Sequence, residues 1–176
     1  MEYNLVPYNN DVLDLFQPKV VPIDDFRMSN NFLSNFHEHE MEIDGKKWAT
    51  VEHFFQAAKT LNEDDSETIR LAPGPMEAKK LGRIVHLRQD LDWEDIKINI
   101  MYKALHYKFQ DFRYLKALLK TGMAELIEGN RHHDNEWGSC KCKRCSRKPG
   151  QNLLGILLMK VRSEIRINRK RTNEET

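Results

Sequence analysis

Cys140, Cys142 and Cys145 crowd into one short stretch with C-x-C-x-x-C spacing, and His132 and His133 lie just upstream. Thiolates and an imidazole gathered this way suit zinc, which takes four nitrogen and sulfur ligands in a tetrahedron. A disulfide framework fits less well, because the count is odd and all three thiols fall in one loop. The other reading is a basic loop with free thiols, since Lys141, Lys143, Arg144, Arg147 and Lys148 are interleaved with them. A second kind of chemistry belongs to carboxylates. Glu52, Gln56 and Lys59 share one face of a helical pattern and can act together. Glu52 falls in the first helical turn, where the macrodipole favours an acid and where a glutamate is also ordinary surface decoration. Asp134-Asn135 sits in a polar stretch where Asp-Asn is equally good turn chemistry.

The elements that must position these groups are legible from local patterns. Met41 and Ile43, then Asp44-Gly45, then Lys47, Trp48 and Ala49 read as a hairpin, because Asp-Gly tolerates the positive φ of a type I′ turn. Thr50 is placed to cap a helix whose apolar residues are Val51, Phe54, Phe55, Ala58 and Leu61. Pro73-Gly74-Pro75 interrupts the next helical stretch, and Met76 to Gly82 reads as a short helix ended by glycine. Asp92 caps a longer helix with Ile96, Ile100, Ala104 and Tyr107 as its buried stripe. Phe112 to Lys120 repeats the pattern, Ala124 to Glu128 suits a strand, and a polar loop runs from Gly129 to Gly150. Leu153, Leu154, Leu157, Leu158, Val161 and Ile165 mark the last helix, followed by a basic, uncompacted tail over 167–176. Residues 1–29, interrupted by Pro7, Pro18 and Pro22, read as a leader packed on a domain spanning 30–166. The expected fold class is α+β, a single mainly helical domain with a small β-sheet.

Composition narrows the function. With 40% hydrophobic and 31% charged residues, the 176-residue chain is too apolar for disorder and too polar for a membrane bundle. Twenty-eight basic against 27 acidic residues leave a net charge of +1, so a polyanion must be met locally rather than by a global field. The first residues lack a signal-peptide pattern, and Leu153 to Met159 is too short an apolar run to span a bilayer. The expectation is a cytoplasmic protein with no membrane partner.

Six motifs stand in a telling order: Phe32-Leu-Ser-Asn-Phe36, Trp48-Ala-Thr-Val-Glu-His-Phe-Phe-Gln-Ala-Ala-Lys59, Pro75-Met76 with Leu81-Gly-Arg83, Trp93, Asp134-Asn-Glu-Trp-Gly138, and Gly150-Gln-Asn-Leu-Leu-Gly155 with Leu158-Met159. Over 31–164 the chain resembles the NADAR, or YbiA-like, superfamily. The resemblance implies a compact, mainly helical α+β fold and an N-glycosidase, a hydrolase that cleaves the bond between ribose C1 and a base nitrogen and requires no cofactor. The substrate it implies is ADP-ribosylated guanine in nucleic acid. The alternative is a phosphoribosylamino-pyrimidine intermediate of riboflavin biosynthesis, and the rival from another class is a non-catalytic ADP-ribose or nucleic-acid binding module.

Cleaving a ribosyl C–N bond builds positive charge on the sugar and negative charge on the leaving nitrogen, which asks for carboxylates. The resemblance gives that work to Glu52 and Asp134. It places Trp137 against the base or ribose, while Trp93 either does the same or only staples its helix, and Trp48 belongs to the core. Asn35 and Phe36 line the same pocket. Gln56 and Lys59 hold ribose hydroxyls and phosphate. His53 has a supporting role, Gly138 belongs to the loop motif, and Asn152 caps the last helix with its N-terminus toward phosphate. Where many relatives are glycine-rich, this chain has its cysteines, so zinc would be structural. The loop's basic residues favour a nucleic-acid backbone.

Overall fold

The computed structural model describes residues 20–145 and 147–174. Most of the leader therefore lies outside the described residues. Its described end is tied to the body of the protein: Ile23 N–H donates to Glu125 O, Ile127 N–H donates to Ile23 O, and Phe26 is buried. The fold is α+β and mainly helical. Among the described residues, two two-stranded sheets, β1 (Met41–Ile43) with β2 (Lys46–Trp48) and β3 (Gly129–Asn130) with β4 (Ser139–Cys140), accompany a 3₁₀-helix (Met28–Leu33) and six α-helices. These are α1 (Val51–Ala57), α2 (Glu63–Arg70), α3 (Pro75–Leu81), α4 (Trp93–Lys108), α5 (Phe112–Lys120) and α6 (Leu153–Glu174).

The β1–β2 hairpin is antiparallel, and Asp44 and Gly45 both have positive φ, as a type I′ turn requires. It delivers the chain to Thr50, whose hydroxyl accepts the His53 N–H and starts α1. Seven residues are too few for a stable isolated helix, so packing must hold this one. It is enclosed by α2, α3 and α4, and all seven of its residues are buried. Phe54 and Phe55 each contribute roughly 1.5–3 kcal/mol by leaving water.

Several expectations are corrected. The helix expected to run to Leu61 ends at Ala57, and Leu61 is exposed, because the next residues turn through the Lys59 N–H to Gln56 O and Thr60 N–H to Ala57 O bonds. Of the expected stripe Ile96, Ile100, Ala104 and Tyr107, only Ala104 is fully buried on α4, and the other three are partly buried at the edge of the core. The buried stripe is rotated to Trp93, Lys97, Met101, Ala104, Leu105 and Lys108. Ala124 to Glu128 forms no strand beyond a single bridge from Leu126 to Ile23. The pairing falls on the following residues instead. The segment expected to be an uncompacted tail continues α6 as far as Glu174.

Candidate functional site

A cavity of about 560 Å³ opens between α1, the residues around Asn35, the Glu128–Asn130 segment and the loop from His132 to Trp137. Glu52 reaches it from the first turn of α1. Its carboxylate accepts a bond from Gln56 Nε2 at 2.8 Å, the i,i+4 neighbour on the same face. Gly82 sets the position of that amide, since a Cβ at residue 82 would overlap the Gln56 side chain. Burial raises the Glu52 pKa above the usual carboxylate range; the Lys79 charge, the Gln56 bond and the Lys59 charge oppose this, and Asp134 adds to it.

Asp134 stands on the loop that β3 and β4 close. These two strands pair in parallel, Gly129 with Ser139 and Asn130 with Cys140, so the intervening residues leave and return at one place. Asn130 fastens the loop from below: its amide donates to Asp134 O, and its Oδ1 accepts from His132 N and Asp134 N. Asp134 Oδ1 in turn accepts the backbone N–H groups of Glu136 and Trp137. One aspartate therefore fixes both itself and the indole three residues on. Trp137 meets Phe55 edge-on with ring centroids 5.1 Å apart, and Phe55 lies 5.1 Å from Trp93, which makes an aromatic wall. Buried Lys97 on α4 holds the same loop through an ion pair with Glu136 and also pairs with Glu94 of its own helix.

The structure brings Asn35, Phe36, Glu52, Gln56, Lys59, Asp134 and Trp137 to this one cavity. Trp93 lines a smaller hollow of about 350 Å³ that shares Phe55, Lys59, Glu136 and Trp137 with it. Three expected binding residues lie elsewhere. His53 Nε2 faces the Ala72 carbonyl, which can only accept, so that nitrogen carries the hydrogen and Nδ1 takes the Thr50 hydroxyl; both ring nitrogens are spent on the fold. Gly138 packs behind the cavity, where a side chain would overlap Glu128 O and the Asn130 amide. Asn152 precedes α6 and its carbonyl accepts the Ile156 N–H, but its side chain does not cap the helix; its amide group bridges Leu126 O and Glu128 N, at a backbone φ of 54°.

Four cavity or near-cavity residues escape sequence reasoning. Glu128 is the most telling: burial, with the Asp134 and Asp25 charges, pushes its carboxyl up to about 7. Lys79 lines the cavity with its ammonium 5.5 Å from the centre of the Phe36 ring, and Arg83 also lines it. Lys108 is wholly buried and donates to Ser34 O at 2.7 Å, beneath Asn35; burial lowers its pKa to about 7. Only the helical period of Lys79 and Lys108 is visible in the sequence, and Glu128 has no local signature.

The described residues contain three buried side-chain N or O atoms without a hydrogen-bond partner: Asn35 Oδ1, Gln56 Oε1 and Glu128 Oε2. All are acceptors and all belong to cavity residues. Buried polar atoms are nearly always satisfied, so three orphans at one cavity mark a place where water or a ligand supplies the donors.

The NADAR domain profile matches residues 24–166. The chain belongs to the NADAR family. This NADAR chain is 39% identical to N-glycosidase YbiA of Escherichia coli over 137 residues, 77% of this chain and 82% of that protein. The NMR structure of E. coli YbiA superposes with a TM-score of 0.73 at 36% identity, covering 87% of this chain and 89% of that one. A 151-residue match at 36% identity, 75% of this chain, takes up 23% of a longer maize protein, riboflavin biosynthesis protein PYRR, chloroplastic. With its N-glycosidase relatives, the NADAR chain is a hydrolase of N-glycosyl bonds. Among its described residues no helix is long and apolar enough to cross a membrane.

Proposed function

We propose that the chain hydrolyses the bond between ribose C1 and a base nitrogen, and that its substrate is ADP-ribosylated guanine in nucleic acid. The observation that carries this reading is the set of orphaned acceptors on Asn35, Gln56 and Glu128 beneath the cations of Lys59, Lys79 and Arg83. Ribose hydroxyls and base N–H groups supply donors, and phosphates answer the cations. The Phe55–Trp137 wall offers a face on which a purine stacks. Exposed Arg131, Arg144, Arg147 and Lys148 lie on the same chain segment as the Asp134 loop, where a polynucleotide backbone needs them.

The chemistry divides among three carboxyl groups. Glu128, holding a proton near neutrality, gives it to the leaving nitrogen as the C1–N pair departs. Asp134 offers negative charge to the oxocarbenium-like sugar. Glu52 takes a proton from the water that attacks C1, and burial favours the neutral acid that this leaves behind. The Gln56 bond and the Lys79 and Lys59 charges favour the ionised form against that burial.

Mass spectrometry tests the substrate. An oligonucleotide carrying ADP-ribosylated guanine should release free ADP-ribose. Release only from a phosphoribosylamino-pyrimidine would favour the reading suggested by the PYRR match, and a stable complex without turnover would leave a binding module.

The division of labour on the loop is tested separately. Trp137→Ala should weaken substrate affinity roughly 5-fold to 150-fold, the ~1–3 kcal/mol of one stacked base, and lower turnover with it. Asp134→Asn keeps an Oδ1 for the Glu136 and Trp137 N–H groups, so affinity should survive while single-turnover rate falls on the order of 10²-fold. An Asn variant that loses affinity and keeps its rate would make Asp134 a binding residue.

A further inference from the structure

The cysteine cluster lies outside the chemistry assigned above, yet the fold assembles it. Cys140 is the buried end of β4, Cys142 and Cys145 face one turn closed by the Cys145 N–H to Cys142 O bond, and His133 comes back from across the β3–β4 pair. One ligand atom from each of the four lies within 4.8 Å of all the others. His133 Nδ1 is 3.3 Å from Cys145 Sγ and 3.4 Å from Cys142 Sγ. Tetrahedral zinc, with bonds of about 2.3 Å to sulfur and about 2.0 Å to nitrogen, needs such N···S separations near ~3.5 Å. His133 holds a left-handed backbone, φ 66°, which is uncommon for a residue other than glycine. Between the expected alternatives, the structure selects His133 over His132 as the fourth ligand.

We propose that His133, Cys140, Cys142 and Cys145 bind one zinc ion in a closed four-ligand site, and that this ion clamps the loop carrying Asp134. A set of three thiolates and one imidazole leaves no position for water or substrate, so the ion is structural. Its effect is geometric. His133 precedes Asp134 directly, and Cys140 N–H is already held by Asn135 Oδ1 at 2.8 Å, so the metal pins the loop on both sides of Asp134. The zinc site stands whatever Asp134 does; only its bearing on turnover rests on the proposed function.

The test uses the full chain purified without chelator. Elemental analysis should find about one zinc per chain, and the double variant Cys142→Ser/Cys145→Ser should lose it. Cobalt exchanged into the site should show the visible bands of a tetrahedral thiolate complex. Protein that carries no zinc, or carries iron instead, and takes up no zinc when it is supplied, would overturn the site. Stripping the metal from the unmutated protein should speed amide exchange over 131–138 on the order of tenfold while α1 and α4 stay protected. Unchanged exchange after stripping would overturn the clamp. Zinc-loaded protein without glycosidase activity would count against the proposed function and leave the zinc site standing.

Discussion

Glu52→Gln should cut the single-turnover rate by ~10³–10⁴-fold and leave the fold intact, the upper range of what a positioned acid or base contributes. Glutamine fills the same volume and can turn its carbonyl toward Gln56 Nε2, so the i,i+4 contact in α1 survives. It cannot take a proton from water. Because the wild-type carboxylate is buried and its pKa is raised, chiefly by desolvation, replacing it with a neutral amide removes a burial cost, and the melting temperature should not fall. Substrate affinity should stay within a few-fold. A folded Gln variant that turns over within tenfold of wild type would end the assignment of Glu52 as a proton carrier.

Glu128→Gln should show its effect in the pH profile as well as in the rate. With its carboxyl pushed up to about 7, Glu128 is protonated on the acid side of neutrality, and the rate should decline as pH rises through that value. The Gln variant should be slower by ~10³-fold below pH 7 and should lack the descending limb. Stability follows with a definite sign. The unfolded carboxyl titrates near 4.5 and the folded one near 7, so the native state binds more protons between them. Stability contributed by the neutral form is therefore present below about 4.5 and lost as pH rises toward 7. Thermal unfolding across that window should fall less steeply for Glu128→Gln. A limb that persists in the variant belongs to another group, and Glu128 would then not be the acid.

What the sequence discloses and what it hides divide by range. The hairpin turn at Asp44-Gly45 and the caps at Thr50, Asp92 and Asp111 depend on neighbours a few residues away, and three of these four were readable residue by residue. The stripe of α4 was misplaced because hydropathy sends lysines outward. Here the Lys97 and Lys108 stems are buried and their ammonium groups find Glu136 and Ser34 O, partners that no local pattern names. Glu128 is hidden for a related reason: its raised pKa comes from burial and from Asp134, which reaches it only through the β3–β4 closure. His53 and Asn152 went the other way. Both sit inside motifs, and both spend their polar atoms holding the backbone around the cavity.

The two halves of the cavity differ in how freely they can change over generations. Glu52 stands on a seven-residue helix with no exposed position, so nearly every substitution there is felt by the core before it is felt by the substrate. Asp134 stands on a loop closed by only two pairs of strand residues, with His132, His133 and Arg131 exposed beside it. Lineages can lengthen, recharge or re-ligate that loop at little expense in folding. The packing that keeps the domain folded therefore constrains Glu52 on α1, and the opposite wall is free of that constraint.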